Sequence, residues 1–222
     1  MKTSWIDALP DLGTAFGETA WMVGWSFALT VALGLLAGVA LRLTAPDGLR
    51  PNRPFYAAFG AVVNLARSLP FLILMIALLS FTRFVVGTAY GPTAAIVPLT
   101  VGAIPFYARV VEAALREVAP GKLEAATVMG ANTGQIVTKV LLPEALPGLV
   151  AGGTLTLVTL IGYSTMAGAI GGGGVGDFAI RYGYQRFNTP VLLLAVVVLI
   201  VLVQVIQSAG DALVRSMNHR RG

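Results

Sequence analysis

The sequence predicts an all-α membrane protein with five transmembrane helices and a short cytoplasmic helix between helices 3 and 4. Of its 222 residues, 56% are hydrophobic and 11% are charged, and the mean hydropathy is +0.81. So few charges cannot cover a water-soluble globule of this size. Five long apolar runs reach the roughly 20 helical residues that a bilayer requires. Lys and Arg also alternate between connections, as in multi-pass membrane proteins.

The apolar runs set the order of the elements, and we treat residues 1–222 as one transmembrane domain because the polar connections are short. Only the second run is interrupted by a charge, Arg67. The first run is too long for the apolar core of a removable signal peptide, so we expect it to be retained as a span. The predicted spans are about 19–41, 59–82, 88–110, 148–170 and 188–211.

The distribution of Lys and Arg predicts the orientation of the chain. One side carries Arg42, Arg50, Arg53, Arg109, Arg116, Lys122, Lys139, Arg215, Arg220 and Arg221. The other side carries Lys2, Arg83, Arg181 and Arg186. The positive-inside rule therefore places the amino terminus outside and the carboxyl terminus in the cytoplasm. Because the charges are spread over short connections beside membrane lipid, we expect no nucleic-acid partner.

Residues suited to catalysis or metal binding are sparse. The chain has no Cys and one His, His219, which argues against thiolate chemistry and against zinc or iron–sulfur sites. Glu18, Glu112 and Asp211 lie at the edges of predicted spans, and no Asp, Glu or His lies in the interior of one to relay protons. Gly121 and Lys122 lack the rest of a phosphate-binding loop. We therefore expect no catalytic residue, no metal site and no ATPase site here, so active transport would need a partner's energy.

The longest cytoplasmic connection, about residues 112–147, is patterned as two short helices with a turn between them. Pro120 can open the first helix, since its missing N–H is among those left unpaired at a helix start. Gly130 can end that helix, and Asn132 with Gln135 can form a capping box for the next one. Periodicity alone leaves open whether the first helix lies on lipid headgroups or in a groove of another protein.

The same connection resembles the EAA loop of permease subunits in bacterial ABC importers. The residues that carry the resemblance are Glu124, Ala125, Ala126, Gly130, Ile136, Leu142 and Pro143. Over roughly residues 19–215 the chain also looks like the methionine importer permeases. The segments that carry this second resemblance are residues 64–71, 95–102, 139–149 and 162–164.

The resemblance implies a permease in the bacterial cytoplasmic (inner) membrane that imports methionine at the expense of ATP. It implies a pair of identical permeases, each receiving one cytoplasmic ABC ATPase subunit, and an external methionine-binding lipoprotein that delivers the substrate. The helix from Glu124 to Gly130 would be the coupling helix, seated in a groove of the ATPase. ATP and Mg would be bound by that ATPase, and this chain itself would need no cofactor.

Five residues are candidates for the translocation pathway. Tyr163, Ser164, Thr165 and Met166 on helix 4 offer hydroxyls and a thioether to an amino acid, or else they pack the seam between two copies. Arg67 lines a polar passage, or it extends its long side chain to the cytoplasmic headgroups. The alternatives for function are a permease for another small amino acid or peptide, a stand-alone secondary transporter or channel, and an intramembrane enzyme.

Overall fold

The structure is a computed structural model that describes residues 8–219, and within them all regular structure is helical. Lys2, Arg220 and Arg221, which enter the charge count above, lie outside the described residues. Two π-helical segments, Val137–Leu141 and Ala179–Tyr184, adjoin the α-helices. The helices are α1 (Leu9–Thr44), α2 (Arg53–Ser68), α3 (Phe71–Ala77), α4 (Leu79–Val86), α5 (Pro92–Arg116), α6 (Pro120–Val128), α7 (Thr133–Ile136), α8 (Leu142–Ala169), α9 (Gly174–Phe178) and α10 (Thr189–His219).

Four helical stretches in the described part of the chain are long and apolar enough to cross a membrane. They are Leu9–Thr44, Pro92–Arg116, Thr133–Ala169 and Thr189–Met217. Each overlaps one of the predicted spans. The first begins well before the predicted residue 19, because Pro10 lies in its first turn, where the missing N–H costs nothing.

The predicted second span, about residues 59–82, is divided into three helices, so the expectation of one uninterrupted helix is wrong. Leu69 is extended (φ −76°, ψ 126°) between α2 and α3. The ring of Pro70 disfavours the helical backbone for the residue before it. The axes of α2 and α3 consequently differ by 102°, and the pair counts as a fifth candidate span only when both are taken together. We call residues 53–86 the broken segment.

Helix α5 lies at the centre of the bundle, and glycines let its neighbours approach closely. A Cβ atom on Gly38 of α1 would lie 2.5 Å from Cβ of Val111. On α8, a Cβ atom on Gly152 would overlap the side chain of Val110. Small residues at such contacts allow helix backbones to pack closely in a membrane. The pairs of glycines four residues apart in α1 and α8 therefore hold these two helices against α5.

Two buried apolar clusters stabilise the bundle at different levels. One joins α1, α3, α5 and α8 around Met22, Leu99 and Leu160, which are fully buried. The other lies at the predicted cytoplasmic end, where Leu115 of α5 meets residues of α6, α7 and α8. The second cluster fixes the cytoplasmic connection against the ends of two long helices.

At the predicted outer end, α1 is tied to the glycine-rich connection that follows α8. The Glu18 carboxylate accepts a hydrogen bond from the backbone N–H of Gly174 at 2.7 Å, and the Thr19 hydroxyl accepts one from Val175 N–H at 2.9 Å. Gly173 and Gly174 have φ angles of 78° and 80°, which favour glycine. We call these two hydrogen bonds the outer latch.

Candidate functional site

The cytoplasmic connection from Pro120 to Pro143, which we call the EAA segment, forms its predicted local structures. Helix α6 begins at Pro120, and Gly130 follows it with a left-handed φ of 81°. Asn132 accepts a hydrogen bond from Gln135 N–H at 2.9 Å, and the Gln135 side chain accepts one from Asn132 N–H at 2.9 Å. The predicted helix start, helix end and capping box are all confirmed.

The residues of α6 divide between an inner and an outer face. Ala126 is 4% exposed and lies in the cytoplasmic cluster, whereas Glu124 and Ala125 are exposed. Lys122 forms an ion pair with Glu144 of α8, with Nζ and Oε2 2.6 Å apart. Helix α6 is therefore attached to the bundle on one side, and its acidic residue is exposed on the other.

The end of α6 carries two apolar side chains that the sequence analysis did not single out. Val128 is 88% exposed and Met129 is 79% exposed. The two side chains are adjacent in sequence and leave an apolar tip on the end of α6. The sequence contains these residues as an apolar pair directly before Gly130. This pair at a predicted helix end was the available signal.

The second half of the EAA segment is built into the bundle. Ile136 is 4% exposed in the cytoplasmic cluster, Leu142 is half-buried, and Pro143 is exposed in the first turn of α8. From Thr133 to Ala169 the chain is one continuous helical stretch that includes the π-helical segment Val137–Leu141. Helix α6 is joined to this stretch by the turn at residues 129–132, and it also contacts α8 directly through the Lys122–Glu144 ion pair.

A cavity of about 510 Å³ lies between α6 and the connection from α1 to α2. Arg42 is buried beside it and forms an ion pair with Asp47 at 3.4 Å. Arg50, from the same connection, donates from Nε to the Thr133 hydroxyl at 3.2 Å. The cavity is lined by Arg42, Asp47, Gly48, Leu49, Arg116, Val118, Pro120, Leu123, Glu124, Thr127 and Val128. Glu124 thus lies at the edge of a recess rather than against the core.

A buried ionic network connects α2 to the cytoplasmic end of α5. Glu112 is 4% exposed and accepts hydrogen bonds from the Tyr56 hydroxyl at 2.8 Å, from Arg109 at 2.6 Å and from Arg116 at 3.1 Å. Arg109 also donates to the Gly60 carbonyl at 3.0 Å. The sequence placed Glu112 at a span edge and gave no sign of these partners.

Across residues 8–219 no group of three Asp, Glu or His side chains is arranged to hold a metal ion.

Two of the five pathway candidates are brought together at the break between α2 and α3. Arg67 and Tyr163 line the same cavity of about 130 Å³. The Tyr163 ring stacks on Phe71, with the ring centroids 4.3 Å apart and the planes within 1° of parallel. This contact joins α3 to α8 across a long separation in sequence.

The other three candidates are placed differently along α8. The Ser164 hydroxyl is buried and donates to the Ile161 carbonyl at 2.7 Å, and the Thr165 hydroxyl donates to the Gly162 carbonyl at 2.7 Å. Both hydroxyls are therefore used within their own helix. Met166 is 47% exposed, three residues after Tyr163, and so it shares a face of α8 with that ring.

The chain is similar to known membrane components of transport systems. A family model described as the binding-protein-dependent transport system inner membrane component matches residues 30–220. The probable D-methionine transport system permease protein MetI of Vibrio cholerae is 56% identical over 207 residues, which are 93% of this chain and 92% of that protein. The methionine import system permease protein MetP of Bacillus subtilis is 45% identical over 212 residues, 96% of either chain.

A solved structure shares the same architecture. It is the native crystal form of the MetNI methionine ABC transporter in inward-facing conformations, with a TM-score of 0.91 and 49% sequence identity. The match covers 93% of this chain and 95% of that one.

Proposed function

The chain belongs to the family of binding-protein-dependent transport system inner membrane components, and from this premise we propose that it is the permease subunit of an ATP-driven methionine importer. Two copies form the translocation pathway, and each copy binds one cytoplasmic ATPase subunit. The similarity to MetI, to MetP and to the MetNI transporter supports this assignment. The chain is a transport subunit, and ATP with its Mg is bound and hydrolysed by the partner.

The proposal rests mainly on one observation: α6 is attached to the bundle on one face and exposed at its end. Its inner face is fixed by Ala126 and by the Lys122–Glu144 ion pair, while Val128 and Met129 at its end are exposed. An exposed apolar pair on a short, firmly attached helix suits insertion into a groove of a partner. We assign α6 as the coupling helix and assign Glu124 and the Val128–Met129 pair as its contacts with the ATPase.

The mechanism follows from the continuity of the helices. When ATP closes the two ATPase subunits, the two α6 helices are drawn together, and the stretch from Thr133 to Ala169 carries this displacement into α8. The permease pair then opens outward, and hydrolysis returns it to the inward-facing state. Ile136, Leu142 and Pro143 act inside the bundle as the joint between α6 and α8, rather than as ATPase contacts.

The membrane arrangement in this proposal has five spans in the bacterial inner membrane. The broken segment supplies the fifth span, the amino terminus lies outside, and the carboxyl terminus lies in the cytoplasm with most Lys and Arg. An external methionine-binding lipoprotein delivers the substrate to the outer face. The pathway lies between the two copies and is lined by Arg67, Tyr163 and Met166, with Ser164 and Thr165 supporting the shape of α8.

The charge-reversal variant Glu124→Lys tests the coupling assignment, with Glu117→Lys as the matched control, because Glu117 is exposed nearby but lies outside α6. Each variant is co-purified with the ATPase subunit and reconstituted with the binding protein in proteoliposomes. We expect Glu124→Lys to lower methionine uptake at least tenfold and to weaken retention of the ATPase, whereas the control does neither. If Glu124→Lys takes up methionine and retains the ATPase as the wild type does, α6 is not the coupling helix.

A further inference from the structure

Arg67 has an unusual position for a charged residue in an apolar chain. It is the one ionisable residue inside the predicted second span, and among residues 8–219 the structure shows no ion pair or hydrogen bond for its side chain. Its side chain is exposed on the single chain. A guanidinium facing hydrocarbon is costly, whereas one facing a pathway can take a polar partner. Because no group within residues 8–219 pairs with it, the guanidinium is available to a ligand.

The cavity beside Arg67 is small and has a defined shape. It lies in the bend between α2 and α3 and is closed on the far side by α5 and α8. Its volume is about 130 Å³. It is lined by Ala66, Arg67, Leu69, Phe71, Leu74, Gly102, Phe106 and Tyr163. A recess that sets an arginine beside apolar walls suits a small anionic group such as a carboxylate.

The walls of the cavity are held rigidly. A Cβ atom on Gly102 of α5 would lie 3.2 Å from Phe71 and 3.3 Å from Leu74, so α5 can approach α3 closely only because this residue is glycine. The Phe71 ring is in turn fixed by its stack on Tyr163. The Tyr163 hydroxyl, like the Arg67 guanidinium, has no hydrogen-bond partner within the described residues. Two residues with polar side chains therefore line one recess, and neither side chain is hydrogen-bonded within the described residues.

We propose that this cavity binds the α-carboxylate of the transported amino acid, with Arg67 as the residue that pairs with it. A guanidinium presents parallel N–H groups to both carboxylate oxygens, and the Tyr163 hydroxyl supplies a further donor. The thioether then lies along the exposed face of α8 toward Met166, one helical turn from Tyr163. This assignment rests on the proposed function, and it adds a substrate subsite within the permease.

The subsite explains the charge at Arg67 better than extension of the side chain to the headgroups. A side chain that only extends to the membrane surface requires no cavity, no stacked aromatic wall and no glycine opposite it. The bend at Pro70 places all three beside Arg67. The binding protein supplies the first selection of substrate, and the cavity a second one for molecules that carry a free carboxylate.

The test uses photo-methionine, the diazirine analogue of methionine, with the complete complex of permease, ATPase and binding protein in proteoliposomes. After illumination, labelled permease peptides are identified by mass spectrometry. The competitors are methionine and methioninol, which lacks the carboxylate. The variants are Arg67→Gln, Arg67→Lys and, as a matched control, Arg83→Gln, which removes an arginine outside the cavity. Uptake of radioactive methionine by each variant is measured in parallel.

We expect the side-chain diazirine to label the exposed face of α8 around Met166, and we expect methionine but not methioninol to suppress this labelling. Arg67→Gln should lower this labelling and the uptake at least tenfold, Arg67→Lys should restore part of both, and Arg83→Gln should change neither. If the wild type takes up methionine but the label lies elsewhere, or if Arg67→Gln labels like the wild type, the subsite is overturned. If the wild type takes up no methionine, the proposed function itself fails.

Discussion

The EAA segment and the broken segment are both short-helix regions, but they are specified in different ways. In the EAA segment each boundary has a residue beside it that accounts for it: Pro120 at the start of α6, Gly130 at its end, and the Asn132–Gln135 capping box at the next start. In the broken segment the bend also has a local signal, Pro70. The residues that pack around this bend, however, belong to α5 and α8, which are distant in sequence.

The difference follows from what each region has to do. In the proposed function, α6 inserts into the ATPase and must keep its shape while the ATPase moves. Caps and turns provide that shape within a few residues. A cavity between helices must bring together residues from distant parts of the chain, and only packing provides that. The first kind of region can be predicted from neighbouring residues, and the second cannot.

The largest expected effect comes from breaking the long-range contact that anchors the broken segment. Glu112→Ala leaves Arg109 partly buried without its carboxylate, and removal of one partner of such a pair costs about 3–5 kcal/mol. We expect this loss in the free energy of unfolding, measured by detergent titration of the permease in mixed micelles. Glu117→Ala, which removes an exposed carboxylate one turn further on, should stay within about 0.5 kcal/mol of the wild type. Equal stability of the two variants would show that the network does not anchor α2.

An intermediate effect is expected from a backbone change in the EAA segment. Gly130→Ala places a side chain at φ 81°, where an L-residue costs about 1–2 kcal/mol. Hydrogen exchange of the α6 amides in the assembled complex should become roughly 5 to 30 times faster. Gly121→Ala is the control, since Gly121 is helical with open space around it, and it should leave exchange unchanged or slower. Unchanged exchange in Gly130→Ala would mean that packing, not the turn, holds α6.

The smallest effect is expected where the local signal is removed from the broken segment. Pro70→Ala should change stability by less than about 1 kcal/mol, because the Phe71–Tyr163 stack and the contact of Phe71 with Gly102 still hold α3. The bend can be followed by the distance between spin labels attached to cysteines introduced at Val62 and Ile76, both exposed, in a chain that has no cysteine. The distance should persist in Pro70→Ala and should change in Phe71→Ala. If Pro70→Ala straightens the helix, the bend is determined by local sequence, as the helix boundaries of the EAA segment are.

Much of the fold was predictable because a bilayer restricts what the chain can do. Apolar runs of sufficient length predicted five spans, and four of these overlap helices that could span a membrane. Turn residues predicted the two parts of the EAA segment. The split of the second predicted span was missed because Pro70 was read as part of an apolar run, although the backbone preference of Leu69 before it was a usable signal.

The candidate sites were predictable only where they are local. The EAA residues lie within one segment, and the resemblance to a known loop located them. Tyr56 and Glu112 are distant in sequence, as are Arg67 and Tyr163, and no pattern in a single sequence indicates that such residues meet. Val128 and Met129 were missed for a different reason, since apolar residues are normally taken as interior, and their exposure is known only from the structure.

The outer latch has a consequence for how the protein is made. Glu18 and its partner Gly174 are 156 residues apart, and at 5–20 residues per second the ribosome needs roughly 8 to 30 s to synthesise that interval. During this time Glu18 and Thr19 of α1 lack the backbone N–H groups from which they later accept hydrogen bonds. The two hydrogen bonds of the outer latch therefore form after the contact of α1 with α5 has become possible, and a nascent chain interrupted before the glycine-rich connection lacks both of them.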